Sequence, residues 1–177
     1  MAVINYTAIQ NTMLRVITMA SSAGAKSYYT NSLAKDDYYT KDQEQEIIGK
    51  WGGKAATDLG LQGTVTKDEF AKLCDNINPV TDGQLTARQN ENRRVGYDIN
   101  FHAPKSVSIC YSLNQDENLL NAFRESVGET MTELEKDMQA RVRVNGQNDN
   151  RTTGNLIYGE FIHKTARPVD GVPDPHL

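Results

Sequence analysis

The sequence has too few cysteines for a disulfide framework. Cys74 and Cys110 are the only two and lie far apart, so both are expected to be buried, reduced thiols. It has no apolar run approaching ~18 residues, which excludes a helical membrane span. Residues 13–25 end in small side chains, as signal peptides do. The apolar part, residues 16–20, is interrupted by Thr18 and is too short for a secretory core, so the expected compartment is the cytoplasm. There is no basic excess either. The net charge of −4 gives no general attraction for phosphates. Local charge is another matter. Arg88, Arg93, Arg94 and Lys105 fall in one quarter of the chain, while acidic residues concentrate in 36–46 and 125–137.

The 177 residues suit one domain with a core, and 38% hydrophobic with 24% charged residues is ordinary for a globular protein. Residues 1–12 show no period and are expected to form an N-terminal extension, with 13–177 as the folded unit. Residues 14–19 have strand character. Ser21 and Ser22 can cap a helix over residues 23–33 that carries Tyr28 and Tyr29. A loop-rich stretch follows, punctuated by Gly49, Gly52, Gly53, Gly60 and Gly63 around a short helix at 54–59. Thr66 with Glu69 three positions on forms a capping box for a helix whose apolar stripe is Phe70, Leu73 and Ile77. In residues 96–101, Tyr97, Ile99 and Phe101 share one strand face; Asp98 and Asn100 share the other. Residues 106–113 alternate as well and read as a second strand. Leu120, Phe123, Val127, Met131, Leu134 and Met138 mark an amphipathic helix over 116–140. Residues 146–151 read as a turn, 153–165 as a strand and 168–175 as a loop. Together these predict an α/β two-layer sandwich with a mostly antiparallel sheet.

Three features could carry chemistry. Tyr28-Tyr29 and Tyr38-Tyr39 are two tyrosine pairs ten residues apart. Tyrosine commonly packs at the edge of a core. It can also attack a phosphodiester and hold one end of the cut strand covalently. The ordinary phenol has pKa ~10, so such a nucleophile needs help. Asp98, mid-strand on the face away from Ile99, is either solvent-exposed or set in a polar site. His163 is either a hydrogen-bonded strand residue or a metal ligand, and a metal could supply that help. His102 and His176, the other histidines, lack ligand spacing to it.

The order of motifs is more telling than any one of them. Ser27-Tyr28-Tyr29, Asp37-Tyr38-Tyr39, Trp51-Gly52-Gly53-Lys54-Ala55-Ala56 and Leu59-Gly60-Leu61-Gln62-Gly63 follow one another. They are succeeded by Leu85-Thr86-Ala87-Arg88 and by the most specific block, Gly96-Tyr97-Asp98-Ile99-Asn100-Phe101-His102-Ala103-Pro104-Lys105-Ser106-Val107-Ser108. Thr153-Gly154-Asn155-Leu156-Ile157-Tyr158-Gly159, His163 and Asp174-Pro175-His176-Leu177 complete the series. This succession resembles the relaxase domain of MobF-type (TrwC/TraI-like) conjugative relaxases over nearly everything after Met13.

The resemblance implies an HUH-nuclease-like palm and site- and strand-specific DNA nicking by tyrosine transesterification. Tyr28 would make the first cut and Tyr38 would serve a second strand transfer, with Tyr29 and Tyr39 as companions. Asp98 would orient a metal-bound histidine. His163 would be the first of three histidine ligands to a divalent ion, Mg²⁺ or Mn²⁺, with Zn²⁺ as an alternative. Arg88, Arg94 and Lys105 are candidate DNA contacts. The implied partner is single-stranded DNA at an origin of transfer, and the parent protein would carry a C-terminal helicase region. The family's H-x-H pair would follow Leu177, with His176 at the variable position before it. The expectation is therefore a domain truncated at its C-terminal end and inactive in nicking by itself. The alternative is a truncated or degenerate relaxase that binds single-stranded DNA without cleaving it.

Overall fold

A computed structural model describes residues 14–33, 48–87, 93–144, 146–169, 172–175 and 177. Tyr38, Tyr39, Arg88, His176 and the extension over residues 1–12 lie outside the described residues.

Strand β1 (Leu14–Met19) leads into helix α1 (Ser22–Tyr28), which continues as a π-helical segment, Tyr29–Leu33. The Ser21 hydroxyl accepts from the Gly24 amide and satisfies one of the free N–H groups at the helix start. Next come β2 (Lys50–Gly52), α2 (Lys54–Asp58) and α3 (Lys67–Cys74). The capping box forms as the sequence predicts: Thr66 Oγ1 accepts from the Glu69 amide, and the Glu69 carboxylate accepts from the Thr66 amide. β3 (Gly96–Phe101) is followed by α4 (Lys105–Asn114), α5 (Glu117–Lys136) and the strand pair β4 (Gln139–Val144) and β5 (Gln147–Thr152). β6 (Tyr158–Glu160), β7 (Thr165–Val169) and β8 (Val172–Pro175) complete the order.

The architecture is α/β. Its strands pair two by two, β1 with β3, β2 with β6, β4 with β5 and β7 with β8, and every pairing is antiparallel. β1 and β3 hydrogen-bond across a long stretch of intervening chain, with Ile17 opposite Asp98 and Val16 opposite Ile99. One packing centre gathers Ala103, Tyr111, Leu120 and Leu177, flanked by Val107, Leu119, Phe123 and Ile162. Ala25, Tyr29, Ala56, Leu61, Val65 and Cys74 are also buried, and Tyr29 packs against Phe70 and Phe161.

Several expectations need correction. Residues 106–113 form helix α4, not a strand. Val107, Ser108 and Tyr111 turn inward while Ile109 and Leu113 are exposed, which is helical spacing. The alternation that suggested a strand also fits i, i+4 pairs, so periodicity alone could not separate the two over so short a run. The long helix ends at Lys136, short of the expected 140, and Gln147–Thr152, which covers most of the turn expected at 146–151, is a strand paired with Gln139–Val144. β5 is polar throughout, so its strand character comes from its partner and not from its own pattern. Only Tyr158–Glu160 of the strand expected at 153–165 pairs with β2, and β7–β8 occupies much of the expected final loop. Cys74 is buried as expected, but Cys110 is exposed; both are free. Among the described residues no helix is long and apolar enough to cross a membrane.

Candidate active site

Tyr28 is the last residue of α1 and is half-buried. Its neighbour Tyr29 is only 7% exposed. The Tyr29 ring stacks on Phe70 of α3 at 4.8 Å between centroids and meets Phe161 edge-on at 5.7 Å. Its hydroxyl donates to the Val65 carbonyl at 3.2 Å. Consecutive residues on a helix diverge by about 100°. The paired tyrosines therefore diverge: Tyr29 lies in the core, while Tyr28 is half-buried.

Asp98 is half-buried at the middle of β3, and Asn100 Nδ2 donates to its Oδ2 at 3.0 Å. The shared face expected for these two residues is thus present. Because β1 pairs with β3 and then enters α1, the strand beside Asp98 is the one that delivers Tyr28. His163 is half-buried in the segment after β6. Its neighbour Ile162 packs against the Ala103–Tyr111–Leu120–Leu177 cluster just beyond β3, which anchors the histidine segment there. Leu177 is tied to the same place: its carbonyl accepts from the Ala103 amide at 2.7 Å and its amide donates to Ser108 Oγ at 3.2 Å.

Arg94 is exposed, donates to the Tyr97 hydroxyl and lies 5.4 Å from the centre of that ring. Lys105 is exposed at the first position of α4. Tyr97 was expected on the apolar strand face, yet it is 51% exposed. The arginine beside it was the available clue, since exposed tyrosine with guanidinium suits a polar surface.

Two further residues shape the region without having been singled out by sequence. Glu135, on α5, is 7% exposed, and its Oε1 accepts from the amides of Lys54 at 2.8 Å and Leu156 at 3.0 Å. It so fastens the start of α2 and the segment before β6 to α5. Asp75, which caps α3, accepts from Ser22 Oγ at 2.5 Å and from Lys26 Nζ at 2.9 Å. The Ser22 hydroxyl and then the Lys26 ammonium hold its carboxyl below the usual carboxylate range. Burial pushes the adjacent Cys74 thiol up to about 11, so it is no candidate nucleophile.

Among the described residues, no group of three His, Cys, Asp or Glu side chains could hold a metal ion. His163 alone does not make a coordination shell.

The TrwC relaxase family model matches residues 22–177. The chain belongs to the TrwC relaxase family. Multifunctional conjugation protein TraI of Escherichia coli is 37% identical over 168 residues, covering 93% of this chain and 9% of TraI. The solved conjugative relaxase TrwC in complex with oriT DNA, in its metal-bound form, is 32% identical with a TM-score of 0.71. That match covers 92% of this TrwC-family chain and 54% of the solved one. TrwC complexed with a 27-mer DNA comprising the recognition hairpin and the cleavage site is 29% identical with a TM-score of 0.69, over 92% and 52% of the two chains. The chain thus spans about half of these solved relaxases and about a tenth of TraI.

Proposed function

We propose that this chain carries the strand-cutting half of a conjugative relaxase site and acts on single-stranded DNA at an origin of transfer. The observation that carries the reading is the split fate of the tyrosine pair. Tyr29 is locked in the core, while Tyr28 ends a helix fed by the strand that pairs with the Asp98 strand. Family membership and the DNA-bound forms of TrwC support the substrate class.

In this reading the Tyr28 phenol oxygen attacks the scissile phosphorus. The P–O3′ bond breaks, the 5′ end stays on the protein as a phosphotyrosine, and the departing strand leaves as a 3′-OH. The phenolic proton leaves to solvent or a neighbouring base and the departing O3′ takes one up from the same source, so the exchange is proton-neutral and the ester retains the bond energy needed for resealing. Tyr38 is assigned to a second transfer. Asp98 orients the neighbouring machinery, and His163 is one ligand of a divalent ion. The TrwC relaxase has been solved both metal-bound and copper-bound, which supports a metal without fixing which one. Such an ion would offset charge on the phosphate when bound. Among the described residues no further donors gather with His163 into a group of three. Arg94 and Lys105 are assigned to DNA contacts, and Arg88 joins them on sequence grounds. The much greater length of TraI leaves room for the helicase region that the family resemblance implies. The assigned compartment is the cytoplasm.

The test uses the chain continued through the family's H-x-H pair, with metal and a nick-site oligonucleotide. Tyr28→Phe removes only the attacking oxygen, so it should fold, bind DNA and form no covalent adduct. Tyr38→Phe should keep the initial adduct. Adduct formation by Tyr28→Phe at the normal rate would refute the assignment. DNA binding without any adduct, whatever the metal, would instead establish binding without cleavage.

A further inference from the structure

The C-terminal end of α3 is a junction. Asp75 Oδ1 accepts from Ser22 Oγ at 2.5 Å and Lys26 Nζ at 2.9 Å, and its Oδ2 accepts from the same ammonium at 2.9 Å. Ser22 and Lys26 are four positions apart, on successive turns of one face of α1. One carboxylate gripping both turns resists sliding of α1 along its axis as well as rotation about it. The neighbouring carbonyl, that of Cys74, accepts from Arg93, and Val95 two residues later donates to the Met19 carbonyl as the chain enters β3. The helix bearing Tyr28 and the strand bearing Asp98 are therefore both referred to the same point.

Local electrostatics argue that this carboxylate serves its partners rather than its own helix. A negative charge at a helix C-terminus faces the negative end of the macrodipole and is unfavourable there. Serine and lysine on α1 offset that cost. A second attachment lies further along: Tyr29 stacks on Phe70, also of α3. Neither attachment uses the Tyr28 side chain. The helix is thereby held at two points, Ser22 and Lys26 on one turn and the next and Tyr29 beyond them, on either side of Tyr28.

We propose that Asp75 is a positioning residue that sets Tyr28 against the Asp98 strand by clamping α1 through Ser22 and Lys26. This rests on the reading of Tyr28 as nucleophile. Small displacements of a reacting atom can cost on the order of 10²-fold in rate. A loosened clamp should accordingly slow chemistry more than it weakens binding.

The experiment uses the metal-loaded chain continued through the H-x-H pair and a single-stranded nick-site oligonucleotide. Asp75→Ala, Asp75→Asn and Lys26→Asp are compared with the charge-swapped double variant Lys26→Asp/Asp75→Lys. The expected result for the single variants is a fall of about 10- to 100-fold in adduct formation at saturating DNA, with the dissociation constant changed less than about twofold. Amide exchange should quicken over residues 22–33 and stay unchanged elsewhere, and the swap should recover most of the rate lost in Lys26→Asp. Asp75→Asn keeps the side-chain shape and serves if Asp75→Ala does not fold. An unchanged rate at saturation, a loss confined to DNA affinity, or a swap no better than the single variant would each overturn the clamp. Tyr28→Phe runs alongside. An adduct in that variant removes the nucleophile assignment itself, whereas a silent Tyr28→Phe beside fully active Asp75 variants removes the clamp alone.

Discussion

Tyr29 and Tyr28 differ by one position and by nearly everything else. A buried ring with its hydroxyl on a carbonyl is a structural part, so Tyr29→Phe should cost only the hydrogen bond, about 1 kcal/mol. Tyr29→Ala also loses the stack on Phe70 and leaves a cavity, for about 3–5 kcal/mol. Denaturant titration of the two variants checks this; a Tyr29→Ala chain as stable as wild type would remove Tyr29 from the core. Gly53 is equally constrained. Its φ is +88°, and a Cβ there would lie 2.1 Å from the Leu156 carbonyl oxygen. Gly53→Ala combines left-handed strain with a backbone clash and should lose on the order of 2 kcal/mol or more. The companion substitution Gly63→Ala meets no atom within 4 Å and should show only the strain of its φ of +72°. Comparing their melting curves separates steric from conformational cost.

At the scale of elements, Glu135 shows how a single side chain can join three of them. Glu135→Leu would leave the Lys54 and Leu156 amides without their acceptor, at a cost of about 1–3 kcal/mol for each group that water cannot reach. Glu135→Gln retains an acceptor oxygen and should be much milder. Equal destabilisation by the two would mean that charge, and not amide capture, is what matters there. The α1–α3 clamp has a pH signature. The Asp75 carboxyl is held lower when folded than when unfolded. Its contribution is therefore fully present above the unfolded value of about 4 and fades as pH falls through the folded one. Wild type should lose more stability than Asp75→Asn on acidification below about pH 4. Parallel curves for the two proteins would contradict this.

For the whole molecule the decisive quantity is metal affinity. His163 is the candidate ligand, and the described residues bring no set of three donors together. The 177-residue chain should bind divalent ions weakly, while continuation through the H-x-H pair should raise affinity by orders of magnitude and make it sensitive to His163→Ala. Titration calorimetry on both chains, with and without that substitution, is the check. Tight, His163-dependent binding by the shorter chain would show that other residues complete the site.

Local rules sufficed wherever a segment's own residues decide its state. The serine before α1, the capping box at Thr66 and the face shared by Asp98 and Asn100 are all satisfied within a few positions, and each appears where the sequence places it. The ordered succession of motifs, with the tyrosine pairs, the Asp98 block and His163, was likewise enough to point to the relaxase family. Partner-dependent features were not legible. Residues 106–113 are helical because Val107, Ser108 and Tyr111 find a packing centre on one side, which a short alternating run cannot announce. β5 is a strand because β4 lies beside it. The pairing of β1 with β3, the burial of Tyr29 against Phe70 and Val65, and the grip of Asp75 on α1 all join residues distant in sequence. Their energies arise only when the chain has closed, so tertiary structure alone decides them.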